Sequence, residues 1–359
     1  MRLGRPSLFL MCWSLAVTLC TAGPAFAQST SARGATADAA AAPNPNLVVY
    51  QGDKGPGAGK HIVFIAGDHE YRSEETLPML ARIMARHYGF TCSVFFTTDP
   101  QTGEIDPESS HLTGLAALDK ADLLVIFTRF KDFPDAEMKH VVDYLNRGGP
   151  IVGLRTATHA FQIQRAGAVY AKYSWKGTPE YVGGFGRQIL GETWVSHYGA
   201  NHKQSSRLVP EKSEAGHPIL RGVTAAWVQS GGYTANPIEG SHVLATGEIL
   251  DGMTPDSPPA KDKTLQPVAW YRTYTADSGK QGRAFATTHG ASEDIVNDGF
   301  RRLMVNAILW GAGLESSISP DGPIALVGPY HPTTYAFKGF VRGMKPSDFA
   351  GWDSAIPKR

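Results

Sequence analysis

The stretch GDHEYRSEE, residues 67–75, follows directly on the apolar run HIVFIA. Strand-to-helix loops usually take about 2–6 residues, and this one carries several side chains able to move protons. His69 and Glu70 are the leading pair. An imidazole titrates near neutrality, and a neighbouring carboxylate can orient it or act beside it, as general acid–base chemistry requires. Asp68 suits either a cap-and-turn role or a place in the site, and Tyr71 and Arg72 could hydrogen-bond ligand hydroxyls or simply cover a helix start. Arg129 in TRFKDF and Arg155 in RTATHAF carry guanidinium forks that can polarise a carbonyl or hold a developing oxyanion. For Arg155 the plainer role is an internal ion pair with Asp68 or Glu70. Thr156 adds a hydroxyl, and His159 a base or metal ligand. His197 and His202, in SHYGANH, are not spaced i, i+4, so they form no zincin motif. They can still sit on a loop folded over a pocket. His217, in GHPIL, reads as part of a turn. His289 ends a late strand. Trp175, Trp194 and Tyr198 offer flat faces for stacking, a task aromatic residues combine with ordinary packing.

The elements that must position these groups are legible in the pattern. HIVFIAG is a continuous apolar run bounded by glycine, as expected of a strand covered on both faces. Leu77, Leu80, Ile83, Met84 and His87 then follow helical spacing, with Thr76 as the expected N-cap, Pro78 in the first turn and Gly89 at the end. FTCSVFF and ADLLVIFTR are the next strands. Pro134 opens a helix to Asn146, closed by Gly148-Gly149, and PIVGL is the fourth strand. SHVLATGEIL reads as a later strand, and QPVAWYRTY with GRAFATTHG as a hairpin. Phe300, Leu303, Met304, Ala307 and Ile308 make the apolar stripe of a last helix, capped by Asn297 or Asp298. The resulting class is α/β, an open, doubly wound, mostly parallel sheet with loop insertions. Ligands bind such sheets at the carboxyl ends of the strands, near the point where strand order reverses. Loop 67–75, TRFKDF and RTATHAFQI all fall on that rim.

The N-terminus is set apart from the fold. Arg2 and Arg5 precede an apolar stretch ending in Ala25-Phe26-Ala27, the plan of a signal peptide over residues 1–27, cut before Gln28. That stretch is shorter than the roughly 20 residues a spanning helix needs, so the expectation is export to the periplasm or the cell exterior, with no transmembrane segment after the leader is removed. Residues 28–58, rich in Ala, Gly, Pro and Ser, read as a linker with a short strand at NLVVY. Residues 59–315 form the α/β domain and 316–359 a C-terminal extension without evident pattern. Two of the 34 basic residues leave with the leader, so 32 face 33 acidic ones. With no basic stripe, a nucleic-acid partner is not expected. Cys92 alone remains of three cysteines, which excludes an internal disulfide and a cysteine zinc cage; in FTCSVFF it reads as a packed apolar group. Oligomeric state leaves no trace in the pattern.

GGPIVGLRTATHAF and GRAFATTHGASEDIVNDGFRRLMVNAILWGAG, taken with GDHEY and HPI, give the chain a resemblance to the ThuA-like (trehalose-utilisation) family over about residues 60–315. The resemblance implies the fold of class I glutamine amidotransferases and a place in carbohydrate catabolism, particularly of disaccharides and their 3-keto forms. In those amidotransferases a nucleophilic cysteine follows the strand that PIVGL resembles; here that position is Arg155. Arginine stays protonated and cannot attack covalently, and Thr156 has no evident activating base, so glutamine hydrolysis is excluded. The family's usual elbow histidine is also missing, which leaves His159 to supply the imidazole. The expected function is an exported carbohydrate-processing enzyme, a keto-sugar isomerase or a glycoside hydrolase or lyase, working by proton transfer. His69, Glu70, Arg155 and His159 are its expected catalytic groups. Asp68, Tyr71, Arg129, Thr156, Trp194, His197, His202 and His289 are its expected substrate contacts. No G-x-G-x-x-G follows the first strand, so no nicotinamide and no other cofactor is expected. Two alternatives stay open: a hydrolase holding a divalent metal on the pocket histidines, and a sugar-binding protein without catalysis.

Overall fold

The structure, a computed structural model, describes residues 44–357. The expected leader, residues 1–27, and residues 28–43 of the expected linker lie outside the described residues. From Asn44 onward the chain is folded, and the NLVVY segment forms strand β1 (Leu47–Gln51), which pairs antiparallel with β3 (Thr91–Phe96).

The ten-stranded sheet also contains β2 (His61–Gly67), β4 (Leu123–Thr128), β5 (Ile151–Leu154), β7 (Ser205–Pro210), β8 (Ala226–Val228), β10 (Ser241–Leu250), β11 (Gln266–Thr275) and β12 (Gln281–Thr287), in the order β1-β3-β2-β4-β5-β12-β11-β10-β7-β8. β3, β2, β4, β5 and β12 are mutually parallel, and the β10, β11, β7 and β8 pairings are antiparallel. Among the parallel strands the chain order is 2-1-3-4-5, with its reversal between β2 and β4. Gly67 and Thr128, the last residues of those strands, are register partners. A separate two-stranded ribbon joins β6 (His197–Tyr198) to β9 (Gly232–Tyr233) and sets His197 opposite Tyr233.

Period-2 alternation divides the central strands between two cores. Ile62, Phe64, Val125 and Phe127 face helices α1 (Ser73–Tyr88) and α3 (Asp298–Gly311). Val63, Ile65, Leu124 and Ile126 face α2 (Asp135–Asn146) with its Met138, Val141 and Leu145. Both faces are therefore covered, which is why these strands read as unbroken apolar runs. The thiol of Cys92 is buried in the first core, where burial pushes its pKa well up, and no nucleophile results.

Three local expectations can be compared with the observed geometry. Gly89 ends α1 in the left-handed conformation, φ 82°, and its N–H bonds the Ala85 carbonyl at 3.0 Å. The Asn297 side chain caps α3, accepting from Gly299 N at 2.9 Å and Phe300 N at 3.2 Å. At the start of α1 the expectation fails. The helix begins at Ser73, a turn before Thr76, with Arg72 as N-cap at φ 65°. Ser73 Oγ accepts the Asp68 N–H at 2.8 Å, and Thr76 Oγ1 reaches the Gly290 carbonyl at 3.0 Å instead of capping. Tertiary partners, not local propensity, fix this helix start, and the loop shortens to Asp68–Arg72.

A helix lying on a sheet buries one stripe, yet 14 of the 16 residues of α1 are buried. The C-terminal segment supplies the missing cover. Val327, Tyr335, Met344, Phe349 and Ile356 join the α1 core. The guanidinium of Arg82, fully buried, donates to the carbonyls of Ser354 at 2.8 Å and Phe349 at 3.0 Å and to the Ser354 hydroxyl. Thr333 donates N–H and Oγ1–H to Glu75 at 2.7 and 2.6 Å. Residues 316–357 thus behave as a strap over α1, though no periodicity announces it. Arg82→Ala should lower the unfolding free energy by about 3 kcal/mol, since buried carbonyls left unpaired cost about 1–3 kcal/mol each. Denaturant unfolding with a loss under 1 kcal/mol would contradict this anchoring.

Candidate functional site

The rim at the strand-order reversal is held together by one carboxylate. Asp68, fully buried just past β2, accepts from the N–H of Glu70 at 2.8 Å and from the N–H of Tyr71 through Oδ1, and from the Thr156 hydroxyl at 2.8 Å through Oδ2. The first two bonds curl the loop into a turn. The third ties it to the residue following Arg155, at the end of β5. Asp68 and Thr156, expected as ligand contacts, therefore spend their polar atoms on each other and on the backbone.

Around that turn the expected residues converge. Glu70 forms a buried ion pair with Arg129. Its other oxygen accepts from Asn201 Nδ2 at 3.2 Å, so Glu70 is engaged away from His69. Asn201 also donates to the Tyr71 hydroxyl at 3.0 Å, and that hydroxyl lies 3.0 Å from His197 Nε2. His159 is buried, its ring centroid 4.9 Å from that of Phe130, 5.2 Å from Trp194 and 5.8 Å from Tyr233. Trp175 packs on both Phe130 and Trp194, and His197 lies against Trp194 and Tyr233. His69 is half-buried at the outer side, 5.7 Å from the ring of Phe337.

Arg155 keeps the sharp elbow after β5, in the left-handed region at φ 43°. Its guanidinium is fully buried and forms no ion pair among the described residues. It donates to the carbonyls of Gly231 and Thr288, both at 2.7 Å, and lies 3.6 Å from the centroid of the Tyr71 ring and 4.9 Å from that of Tyr233. The suggested pairing with Asp68 or Glu70 does not occur. His289 is buried beyond this group, against Phe300, and belongs to the floor of the rim. His202 stacks on Tyr335, ring centroids 4.4 Å apart, at an exposed edge. His217 stacks on Tyr271 far along the antiparallel half, as a turn residue would.

The non-glycine residues at positive φ among the described residues are Arg72, Phe130, Arg155, His202 and Lys338. Each lies in a segment that borders this cluster. Strain of this kind costs on the order of 1–3 kcal/mol per residue and gathers at functional sites.

The electrostatics favour neutral imidazoles. Burial, assisted by Arg129 and Lys131 against the opposing pull of Asp68, lowers the pKa of His69 to about 4. Burial and then Arg155 and Arg129 bring His197 to about 4. Burial pushes His159 well below its ordinary range, with Arg129 adding to the effect. Burial lowers Lys131 to about 8, although Asp68 raises it. Its ammonium donates to the carbonyls of Pro107 and Ser109. Among the described residues no three His, Cys, Asp or Glu side chains are grouped so as to hold a metal ion. A cleft of about 380 Å³ elsewhere on the surface is lined by Trp227, Gln229, Glu293, Val296, Asn297 and Pro332, none of them in the cluster. The site is defined by converging side chains.

Sequence reasoning missed Phe130, Lys131, Asn201, Tyr233 and Phe337. Phe130 and Lys131 lie within TRFKDF, already placed on the rim, and Asn201 within SHYGANH. Tyr233 and Phe337 come from stretches with no periodicity, and only tertiary contact reveals them.

This is an α/β protein with the class I glutamine amidotransferase-like arrangement, whose elbow carries a buried arginine where a nucleophile would stand. The sequence matches the family model described as trehalose utilisation, ThuA, over residues 61–311, and the chain belongs to that family. Two similar solved structures are ThuA-like proteins. The one from Bacteroides uniformis is 15% identical, with 74% of this chain and 96% of that chain covered at a TM-score of 0.44. The one from Parabacteroides merdae is also 15% identical, with 77% and 97% covered at a TM-score of 0.44. No curated protein matches. Among the described residues no helix is long and apolar enough to cross a membrane.

If Asp68 organises the rim, Asp68→Ala should cost about 3 kcal/mol of stability, the scale for losing charged hydrogen bonds in a buried turn. Thr156→Val should cost about 1 kcal/mol. Because they share a bond, the double variant should fall short of the sum by about 1 kcal/mol. Strict additivity in urea unfolding would show that the loop and the elbow are not coupled.

Proposed function

We propose that the chain is a carbohydrate-processing enzyme that moves a proton beside the carbonyl of a keto-glycoside. The observation that carries this reading is the half-exposed, neutral imidazole of His69 beside the Arg129 guanidinium, at the strand-order reversal. A proton next to a carbonyl is removed only when the developing oxygen charge is stabilised. An imidazole whose pKa is near 4 is a weak base, so that electrophilic help must be strong. Arg129 is suited to supply it, because Glu70 pairs with it and is itself held by Asn201. His69 takes the proton. The Tyr71 hydroxyl, between His197 and Asn201, can pass one to the other side of the ligand. Arg155, shut away under Tyr71, is a positioning residue: its cation faces the Tyr71 ring and fixes where that hydroxyl stands. Phe130, Trp175 and Trp194 offer an aromatic wall of the kind that receives sugar rings. The family's trehalose-utilisation description supports a disaccharide-derived substrate. The leader-like N-terminus supports a reaction outside the cytoplasm.

Incubation of the full chain with 3-keto-trehalose in heavy water should place deuterium on the carbon beside the carbonyl, detected by mass spectrometry. His69→Ala should slow that exchange at least about 100-fold, within the range of general base catalysis. The sign of the pH dependence follows from the neutral form being the active one. Activity should hold from neutrality down toward pH 4 and be lost as His69 is protonated near its pKa of about 4. An acid limb near the ordinary histidine value of about 6.5, or an exchange rate untouched in His69→Ala, would remove His69 from this role. Binding of the sugar with no deuterium incorporated would make the protein a binder.

A further inference from the structure

Phe337 is one of the few large apolar side chains left exposed, at 56%, and it stands at the site. Its ring lies 5.7 Å from that of His69 and 4.9 Å from the Arg129 guanidinium carbon, which also faces Phe130 at 5.4 Å. The chain holds it there deliberately tightly. Gly339 N–H bonds the Ala336 carbonyl at 3.2 Å, so residues 336–339 form a β-turn with Phe337 at its first corner. Lys338, at the second corner, takes φ 57°, where a turn of this kind favours glycine. On one side the turn is anchored by Arg72, which donates to the Ala336 carbonyl. On the other it is anchored by Tyr335, fully buried against Tyr71 with ring centroids 5.0 Å apart. A strained, doubly anchored turn that ends in a solvent-facing aromatic ring contributes little to the core. It fits a surface that something else covers.

The geometry points to Phe337 as the stacking face for the second ring of a disaccharide, and so to the C-terminal strap as the element that sets ligand size. This rests on the carbohydrate reading above. In the inner aromatic wall Phe130 and Trp194 flank His159 and Trp175 packs on both of them, while Phe337 lies on the His69 side of Arg129. One sugar ring beside His69 can be held by the inner wall. A second ring, linked outward through the glycosidic oxygen, meets Phe337 with its apolar C–H face. The family match ends at residue 311, so this ring is not part of the matched core. It is added by the strap that also covers α1. A monosaccharide leaves Phe337 bare; a disaccharide does not.

Calorimetric titration of the full chain with 3-keto-trehalose and with 3-ketoglucose tests this. Phe337→Ala should weaken 3-keto-trehalose roughly tenfold, leave 3-ketoglucose within about twofold, and leave the melting temperature unchanged; a tenfold change is about 1.4 kcal/mol. Phe337→Trp should restore disaccharide affinity. If Phe337 only shields Arg129, both sugars weaken in parallel and Trp does not discriminate, which overturns the assignment. Unchanged affinity for both overturns it too. The two readings part cleanly. A tenfold loss of 3-keto-trehalose affinity in Phe337→Ala, with no deuterium exchange in the wild type, leaves the stacking face standing without catalysis. Exchange that persists in Phe337→Ala with the affinity ratio unaltered leaves catalysis standing without the stacking face. If the wild-type chain binds neither sugar, both fall.

Discussion

The arrangement depends on a buried carboxylate at the end of the first parallel strand. An ionised group cannot sit in an interior without donors, and Asp68 takes its donors from two backbone N–H groups of its own loop and one hydroxyl across the rim. Those three bonds do more than satisfy a charge. They dictate the curl of residues 68–72, and hence the direction in which His69, Glu70 and Tyr71 leave the backbone. They also lock that curl to β5, so the first and fourth parallel strands present their ends in a fixed relation. Because Ser73 Oγ in turn accepts the Asp68 N–H, the same residue sets the first turn of α1. Loop, elbow and helix start are one unit.

The cations around it are handled in two contrasting ways. Arg129 has a carboxylate partner in Glu70 and remains near the outer edge. Arg155 has none, and its charge is balanced by two carbonyl dipoles and the faces of two tyrosines. Removing a cation from water without an anion is expensive unless every direction of approach is polar or polarisable. Gly231 and Thr288 satisfy one terminal nitrogen and the rings of Tyr71 and Tyr233 lie against the group, while Nε and Nη2 find no hydrogen-bond partner among the described residues. The sharp turn at φ 43° delivers one side chain under the rim, where it meets Gly231, Thr288, Tyr71 and Tyr233. Burial first, and then the positive charge of Arg129, Arg155 and Lys131, lowers the pKa values of His69, His159 and His197.

How much of this could be read beforehand follows from the range of the forces involved. HIVFIAG, ADLLVIFTR and PIVGL are legible because burial on both faces demands uninterrupted apolar residues, a local and periodic signal. From that pattern the rim follows, and with it the grouping of His69, Arg129 and Thr156. Partner choice does not follow. Nothing local says that Glu70 goes to Arg129 and not to His69, because the deciding contact, Asn201, is 131 positions away. Thr76 looks like a helix cap by propensity, yet a hydroxyl five residues after Asp68 displaces that boundary. Nor does the pattern say that the Arg155 guanidinium lies between the rings of Tyr71 and Tyr233. The strap over α1 was least legible, since Arg82, Thr333 and Tyr335 make single, aperiodic contacts.

Two irregular segments convert an open sheet edge into a bounded site. Residues 160–204 carry Trp175, Trp194, His197 and Asn201 across the rim from one side. The strap brings Tyr335 and Phe337 from the other. Neither has a regular core of its own, so each must be fixed where it touches the rim. The short ribbon of β6 and β9 does this for the first by seating His197 opposite Tyr233. Arg72 and Glu75 do it for the second, and both belong to the same helix start that Asp68 organises. Distortion of the Asp68 turn would therefore reach both walls, one through Tyr71 and Asn201, the other through Arg72. A rigid parallel sheet supplies the frame, but a single polar turn determines whether the two walls face one another.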